Sequence, residues 1–288
     1  MKIKIWGCRG SITTPGATTL RYGGNTTCVE IRTAEGEAAG QNIVVDAGSG
    51  VRLLGKALRR EKKISHIRFF FSHSHWDHLV GFPFFEPAYF PNYHIAFCGG
   101  PHAQDSIKRY LSRQMKAPFF PVDFSLLKAQ FDFCCERPHQ EPGPCRFDGM
   151  EVSPAPLNHP NGGYGFKFVE KGKTLVFFPD NELGFQHEGG LDRAAYVEFC
   201  RGADILIHDA QYTDTEYQRT RGWGHSTYAD TVDLAVAAGV KRLGLFHHDP
   251  DRTDDDLDRQ VEVCRKRIRE ARSNIECFAC AEGMTLEL

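Results

Sequence analysis

The stretch that most constrains this chain is Phe71-Ser72-His73-Ser74-His75-Trp76-Asp77-His78-Leu79. Residues 67–71 are aliphatic or aromatic apart from Arg68 and read as a buried strand, so the polar residues fall on the loop leaving its end. His73 and His75 are two apart, a spacing that lets both reach one ion from an extended loop. Asp77 and His78 are adjacent beyond the turn and face a second position. Imidazole nitrogens mixed with carboxylate oxygens form a borderline ligand set that suits zinc, with manganese or iron as alternatives. A lone histidine is ordinarily a surface or core residue, but so many ligand types in so short a run are hard to explain without a metal.

Strand-like runs recur at 2–6, 27–33, 42–46, 67–72, 93–97, 150–154, 164–169, 174–179, 204–208, 241–246 and, with a turn, 275–287. Helices join them in the second half. One is expected over 226–238, with Ser226 as N-cap and Gly239 just past its end. Another runs over about 254–272, where Leu257, Val261, Cys264 and Ile268 keep helical spacing. Asp254, Asp255 and Asp256 open it, and Arg265, Lys266, Arg267 and Arg269 close it, which complements the helix dipole. These basic residues, like Arg59, Arg60, Lys62 and Lys63, therefore read as solvated helix ends. A further helix over about 103–115 leads into Met115-Lys-Ala-Pro-Phe-Phe-Pro121 and a Pro/Gly-rich stretch at 138–144. With no linker or repeat, the expectation is a single α/β domain over 1–288 that carries a lid or insertion at about 101–149.

Composition narrows the function classes. The chain has 288 residues, 22 of them Phe, which is too aromatic for a disordered segment. No apolar run approaches the roughly 18–20 residues of a membrane span. A formal net charge of −2 gives no broad attraction for nucleic acid. The start, Lys2-Ile3-Lys4-Ile5-Trp6, alternates like a strand instead of forming a signal-peptide core, so a cytoplasmic protein with reduced thiols is expected. Cys277-Phe-Ala-Cys280 has metal-knuckle spacing, with Cys134, Cys135 and Cys145 as conceivable partners. It lies in a strand-like run without a second CxxC, which favours buried thiols.

His-x-His-x-Asp-His after an apolar strand resembles the signature of the metallo-β-lactamase-fold hydrolases, and the likeness extends along most of the chain. Val44-Val45-Asp46-Ala47-Gly48-Ser49-Gly50 resembles the family's Asp-x-Gly-x-Gly turn. Asn158-His159-Pro160 is similar to the segment that brings a third histidine, and Phe178-Pro179-Asp180 ends a strand where the family places a bridging aspartate. Leu243-Gly-Leu-Phe-His247 resembles the strand ending in the last ligand. The resemblance implies a four-layer αββα sandwich with two divalent ions. His73, His75 and His159 would hold the first, Asp77, His78 and His247 the second, and Asp180 would bridge them. His248 is the alternative to His247; strand alternation sends the two to opposite faces, so one binds. His75 occupies a position where the diiron flavoprotein branch tends to carry Glu, which argues against redox chemistry.

Two ions about 3.5–4 Å apart would activate a shared water and clamp the attacked group, leaving a metal-bound hydroxide as nucleophile. A proton donor for the leaving oxygen is still required. His208-Asp209-Ala210-Gln211-Tyr212 and Gly224-His225-Ser226-Thr227 resemble segments of the ribonuclease Z and cyclic-phosphate phosphodiesterase branch. That resemblance makes His225 the general acid and Asp209, which replaces the family's usual Glu, its orienting partner. The tRNA-processing members carry a long basic arm between the third histidine and the bridging aspartate, and the segment from His159 to Asp180 is short here. A small phosphodiester is therefore the expected substrate, such as a cyclic nucleotide or cyclic sugar phosphate, with no long nucleic acid. Phe119 or Phe120 would stack on a base, and Arg9 or Asn25 would touch phosphate. A lactone, thioester or β-lactam hydrolase, or a non-catalytic nucleotide-binding sensor, are the competing readings. The family's habit of pairing also allows a homodimer.

Overall fold

The computed structural model describes residues 1–33, 40–99, 101–133, 144–147 and 149–288. In chain order the strands are β1 (Lys2–Gly7), β2 (Cys28–Arg32), β3 (Gln41–Val45), β4 (His66–Phe71), β5 (His94–Gly99), β6 (Gln130–Phe133), β7 (Cys145–Phe147), β8 (Met150–Pro156), β9 (Tyr164–Glu170), β10 (Lys173–Phe178), β11 (Ile205–Asp209), β12 (Arg242–Phe246), β13 (Glu276–Ala279) and β14 (Thr285–Glu287). The α-helices are α1 (Val51–Glu61), α2 (Trp76–Leu79), α3 (Pro101–Gln114), α4 (Arg193–Cys200), α5 (Asp214–Thr220), α6 (Tyr228–Ala238) and α7 (Asp254–Glu270). They frame two seven-stranded sheets, ordered β14-β1-β2-β3-β4-β5-β6 and β13-β12-β11-β10-β9-β8-β7.

The three consecutive phenylalanines of β4 explain the layering. Side chains alternate across a strand, so Phe70 points inward while Phe69 and Phe71 point outward. Phe70 joins Ile3, Val29 and Val45 against Phe166, Phe168, Phe177 and Phe246 of the other sheet. Phe69 and Phe71 pack with Leu54 and Leu58 of α1 and Ile107 and Leu111 of α3. Outside the second sheet, Val176, Leu206 and Leu243 pack against Tyr196 of α4, Val232 of α6 and Val261 of α7. Three apolar layers separate four structural ones, which is the expected αββα sandwich.

Several local expectations change. The N-cap of α6 is Thr227, whose hydroxyl accepts from the Asp230 N–H at 3.0 Å. Ser226, expected there, instead donates to the Asn181 carbonyl at 2.5 Å and accepts from the Leu183 N–H. Residues 275–287 form strand, turn and strand as expected, but the strands go to different sheets: β13 pairs with β12 in one and β14 with β1 in the other. The sequence reading also passed over α1, although Val51, Leu54, Gly55 and Leu58 are its buried positions and follow i, i+3, i+4, i+7 spacing. The 101–149 segment contributes Ile107, Leu111 and Met115 to the core and supplies β6 and β7, one strand to each sheet.

Phe69 lies 5.2 Å from Phe85, 5.5 Å from Phe71 and 6.0 Å from Phe82 and Phe97, centroid to centroid. Phe69→Ala is expected to cost about 3–5 kcal/mol, the usual penalty for a large buried cavity. Urea unfolding measures it, and a loss below about 1 kcal/mol would mean the cluster collapses around the gap.

Candidate metal centre

Strands β3 and β4 run parallel, as do β10, β11 and β12. Their carboxyl ends deliver polar residues to one rim of the sandwich, the usual ligand position in parallel sheets. Asp46 follows β3, Ser72–His78 follow β4, Asp180 follows β10, Asp209 ends β11 and His247 follows β12. His159 arrives from the loop after β8. Two of these residues occupy the left-handed backbone region, Asp46 at φ 60° and His247 at φ 56°, as does neighbouring Ser11 at φ 61°. Such conformations are uncommon outside glycine and cluster at functional sites.

Two groups form. His73, His75 and His159 present ligand-type atoms within 4.8 Å of one another, and so do Asp77, His78, Asp180 and His247. Asp180 stands between the groups. One of its oxygens is 3.7 Å from His73 Nε2, 3.8 Å from His159 Nε2 and 3.3 Å from His247 Nε2, and the other is 3.1 Å from His78 Nε2. His75 turns its Nδ1 inward, 3.0 Å from His159 Nε2. Despite this crowding, the buried atoms His73 Nε2, His78 Nε2 and Asp180 Oδ1 make no hydrogen bond among the described residues. Buried polar atoms ordinarily find a partner. Nitrogen and carboxylate donors left unpaired around a common centre fit divalent metal ions of the zinc type.

The far sides of the His78, His159 and His247 rings are tied down, as is usual for metal-ligating histidines. His78 Nδ1 donates to Asp46 Oδ2 at 2.8 Å, and Asp46 also accepts from the Ser72 N–H and hydroxyl at 2.7 Å each. His159 Nδ1 donates to the Gly224 carbonyl at 3.0 Å, and His247 Nδ1 to Gln211 Oε1 at 2.8 Å. Asp77 accepts from the Ser11 N–H at 2.9 Å. Gly10 is required beside this contact, since a Cβ there would lie 2.5 Å from His247 Nδ1. Burial pushes His159 down to about 3, against the pull of Asp180, and so keeps its imidazole neutral with a lone pair available. Burial alone would raise the Asp180 carboxyl, but His247, His78 and His73 outweigh it and hold that pKa well below the usual range.

His225 lies against this cluster. Its ring stacks on His247 at 4.7 Å and meets His159 edge-on at 5.3 Å. Its Nδ1 is 2.9 Å from Asp209 Oδ2, so the aspartate reaches the histidine in spite of its shorter side chain. Burial works against a charge on this ring, but the Asp209 pairing wins and its pKa is pushed up to about 9. Asp209 is itself fixed by the N–H groups of Asn181 and Gln211, both at 3.1 Å.

The other expected residues sort differently. His248 turns away from the cluster and donates from Nε2 to the Cys280 carbonyl at 2.8 Å. His208 donates to the Asp209 carbonyl and contacts the Asn181 amide, so it braces the site from behind. Arg9 is fully buried and spends its guanidinium on the carbonyls of Gly23, Asp249 and Arg252. Asn25 is engaged by Glu282 and Ser49. Neither is free for the phosphate contact expected of it. Phe119 is 80% exposed, whereas Phe120 packs edge-on to Phe84 at 5.5 Å. Cys277 and Cys280 enter different core layers and form no knuckle among the described residues. Cys134 and Cys135 lie outside those residues, as does most of the 138–144 stretch.

Three residues that shape the site, Asp46, Gln211 and Glu182, carry no assigned role in the sequence. Asp46 was visible in its glycine-rich turn, and Gln211 carried the weak signal of lying two residues beyond Asp209. Glu182 had no local signal. If the cluster holds metal through His78, Asp46→Asn should weaken metal affinity about 10–100-fold, as loss of such an outer partner does. Competition with a chromophoric chelator measures this, and unchanged affinity would sever Asp46 from metal binding.

A family model described as "Beta-lactamase superfamily domain" matches residues 41–248, spanning every cluster residue named above. Ribonuclease Z of Brevibacillus brevis is 33% identical over 93 residues, 32% of this chain but only 26% of that enzyme. The metallo-β-lactamase-fold protein YhfI of Bacillus subtilis superposes with a TM-score of 0.69 at 18% identity, covering 100% of this chain and 99% of that one. A diphosphatase from the PhnP family gives a TM-score of 0.65 at 16% identity, covering 100% and 97%. Among the described residues no helix is long and apolar enough to cross a membrane. The chain belongs to the β-lactamase superfamily domain family, has the metallo-β-lactamase fold, and is similar over part of its length to ribonuclease Z.

Proposed function

We propose that this chain is a metal-dependent phosphodiesterase that hydrolyses a small phosphodiester, a cyclic nucleotide or cyclic sugar phosphate in the first instance. His73, His75 and His159 would hold one divalent ion, Asp77, His78 and His247 a second, and Asp180 both, with zinc the first choice for this donor set. Bound there, the ions would supply Lewis acidity and an activated water. Two aspartates leave such a centre positively charged and receptive to a phosphate.

The observation that carries the reading is the His225–Asp209 pair beside the cluster. Asp209 holds the Nδ1 side of His225 and favours its charged form, while His225 Nε2 makes no hydrogen bond among the described residues. A protonated imidazole with one free N–H at the edge of an anion-binding centre suits protonation of a leaving alkoxide. Lactone, thioester and β-lactam hydrolysis do not call for an acid placed for a phosphate leaving group.

The small-substrate part draws on the hairpin between His159 and Asp180. Strands β9 and β10 are joined by Lys171-Gly172 alone, both at positive φ, as in a tight two-residue turn. No arm for gripping tRNA projects there. A reducing, cytoplasmic setting accords with Cys8, Cys28, Cys200, Cys264, Cys277 and Cys280, which are all buried thiols. A single domain with the exposed Phe119 segment covering the site completes the proposal.

The zinc- or manganese-loaded protein should cleave bis-p-nitrophenyl phosphate and lose that activity on chelation; a loaded protein inert to phosphodiesters but active on lactones would overturn the reading. His225→Ala should slow turnover of a cyclic nucleotide about 10²–10⁴-fold, the range for losing a general acid. Metal content by elemental analysis should stay unchanged, and its loss would make His225 a ligand instead.

A further inference from the structure

The loop that carries His225 has little packing of its own. Trp223 is 62% exposed, and Gly222 and Gly224 contribute no side chain. What holds this loop is Glu182, a carboxylate two residues beyond Asp180 with no surface exposure. Its Oε1 accepts from the Tyr217 hydroxyl at 2.5 Å and the Gly222 N–H at 2.7 Å. Its Oε2 accepts from His187 Nε2 at 2.8 Å and the Gly224 N–H at 2.7 Å. Four donors on one buried carboxylate replace the water it gives up. They also join four separate places: the strand end bearing Asp180, the 183–190 loop, α5 through Tyr217, and the 222–225 loop.

Gly224 is the link to the site. Its N–H is held by Glu182 and its carbonyl accepts from His159 Nδ1, so the peptide units on both sides of Gly224 are gripped immediately before His225. Its φ of +95° and the 2.0 Å gap that a Cβ would leave to His159 Nδ1 permit only glycine. Asp209 sets the rotation of the His225 ring, but it does not fix the main chain from which the ring projects.

We infer that Glu182 is a positioning residue for His225, setting where its Nε2 stands relative to the leaving group. The inference rests on the reading of His225 as general acid. A lost or misplaced acid penalises poor leaving groups and spares good ones, which no general loosening of the fold would do.

The test is a series of methyl aryl phosphodiesters, from p-nitrophenyl to phenyl, cleaved by the metal-loaded wild type, Glu182→Gln and His225→Ala. The glutamine keeps the shape but turns an NH2 group toward two of the donors. Glu182→Gln is expected to lower kcat about 10–100-fold for the phenyl ester and less than about threefold for the p-nitrophenyl ester. His225→Ala should deviate in the same sense and further, with metal content and KM held in both. A uniform fall across the series, or lost metal, would overturn the inference. Steepening in His225→Ala without any in Glu182→Gln would overturn it alone. No steepening in His225→Ala would overturn the acid reading and this inference together. Should Glu182→Gln fail to fold, Tyr217→Phe removes one of the four donors and should give a smaller steepening of the same sign; a flat response there counts against the proposal.

Discussion

Everything at the rim is arranged around a carboxylate that should not be comfortable where it is. Asp180 is buried at the junction of the two sheets, where an isolated negative charge would be strongly disfavoured. It is tolerated because His73, His78, His159 and His247 converge on it from three different segments. That convergence demands parallel strands ending at a common level, and the sandwich provides it. Outer contacts such as Asp46 to His78 and Gln211 to His247 then fix which nitrogen each ring presents.

A second layer of order links the cluster to the acid. Asp209 ends β11, and its carboxylate reaches both the Asn181 N–H and His225. Ser226 closes the circuit by bonding back to Asn181 and Leu183. The cluster and the histidine beside it are thus parts of one hydrogen-bonded body, and in such networks the loss of a member is felt by its neighbours.

How much of this could be read from the sequence follows from distance along the chain. The 73–78 motif was legible because its ligand types are consecutive and follow an unmistakable strand. His159, Asp180 and His247 were legible only through family resemblance, since each is an ordinary residue until the fold brings it in. Strand alternation allows only one of His247 and His248 to bind, the Leu-x-Leu-x-His spacing favours His247, and the structure turns His248 to Cys280. What escaped were features that depend on tertiary partners. Arg9 looks like a phosphate contact until its guanidinium is found among three carbonyls, and Glu182 looks like any surface acid until four donors surround it. The 275–287 run has hairpin composition, and nothing local reveals that its two strands part company.

That parting bears on how the polypeptide acquires its shape during synthesis. Strand β14 pairs with β1, joining residues from opposite ends of the chain, and β13 meanwhile completes the edge of the other sheet. Until these two strands dock, β1 and β12 stand as open edges, each able to recruit a stray strand. Contacts of such long range are also the slowest to form. Residues 276–287 therefore latch both halves of the sandwich.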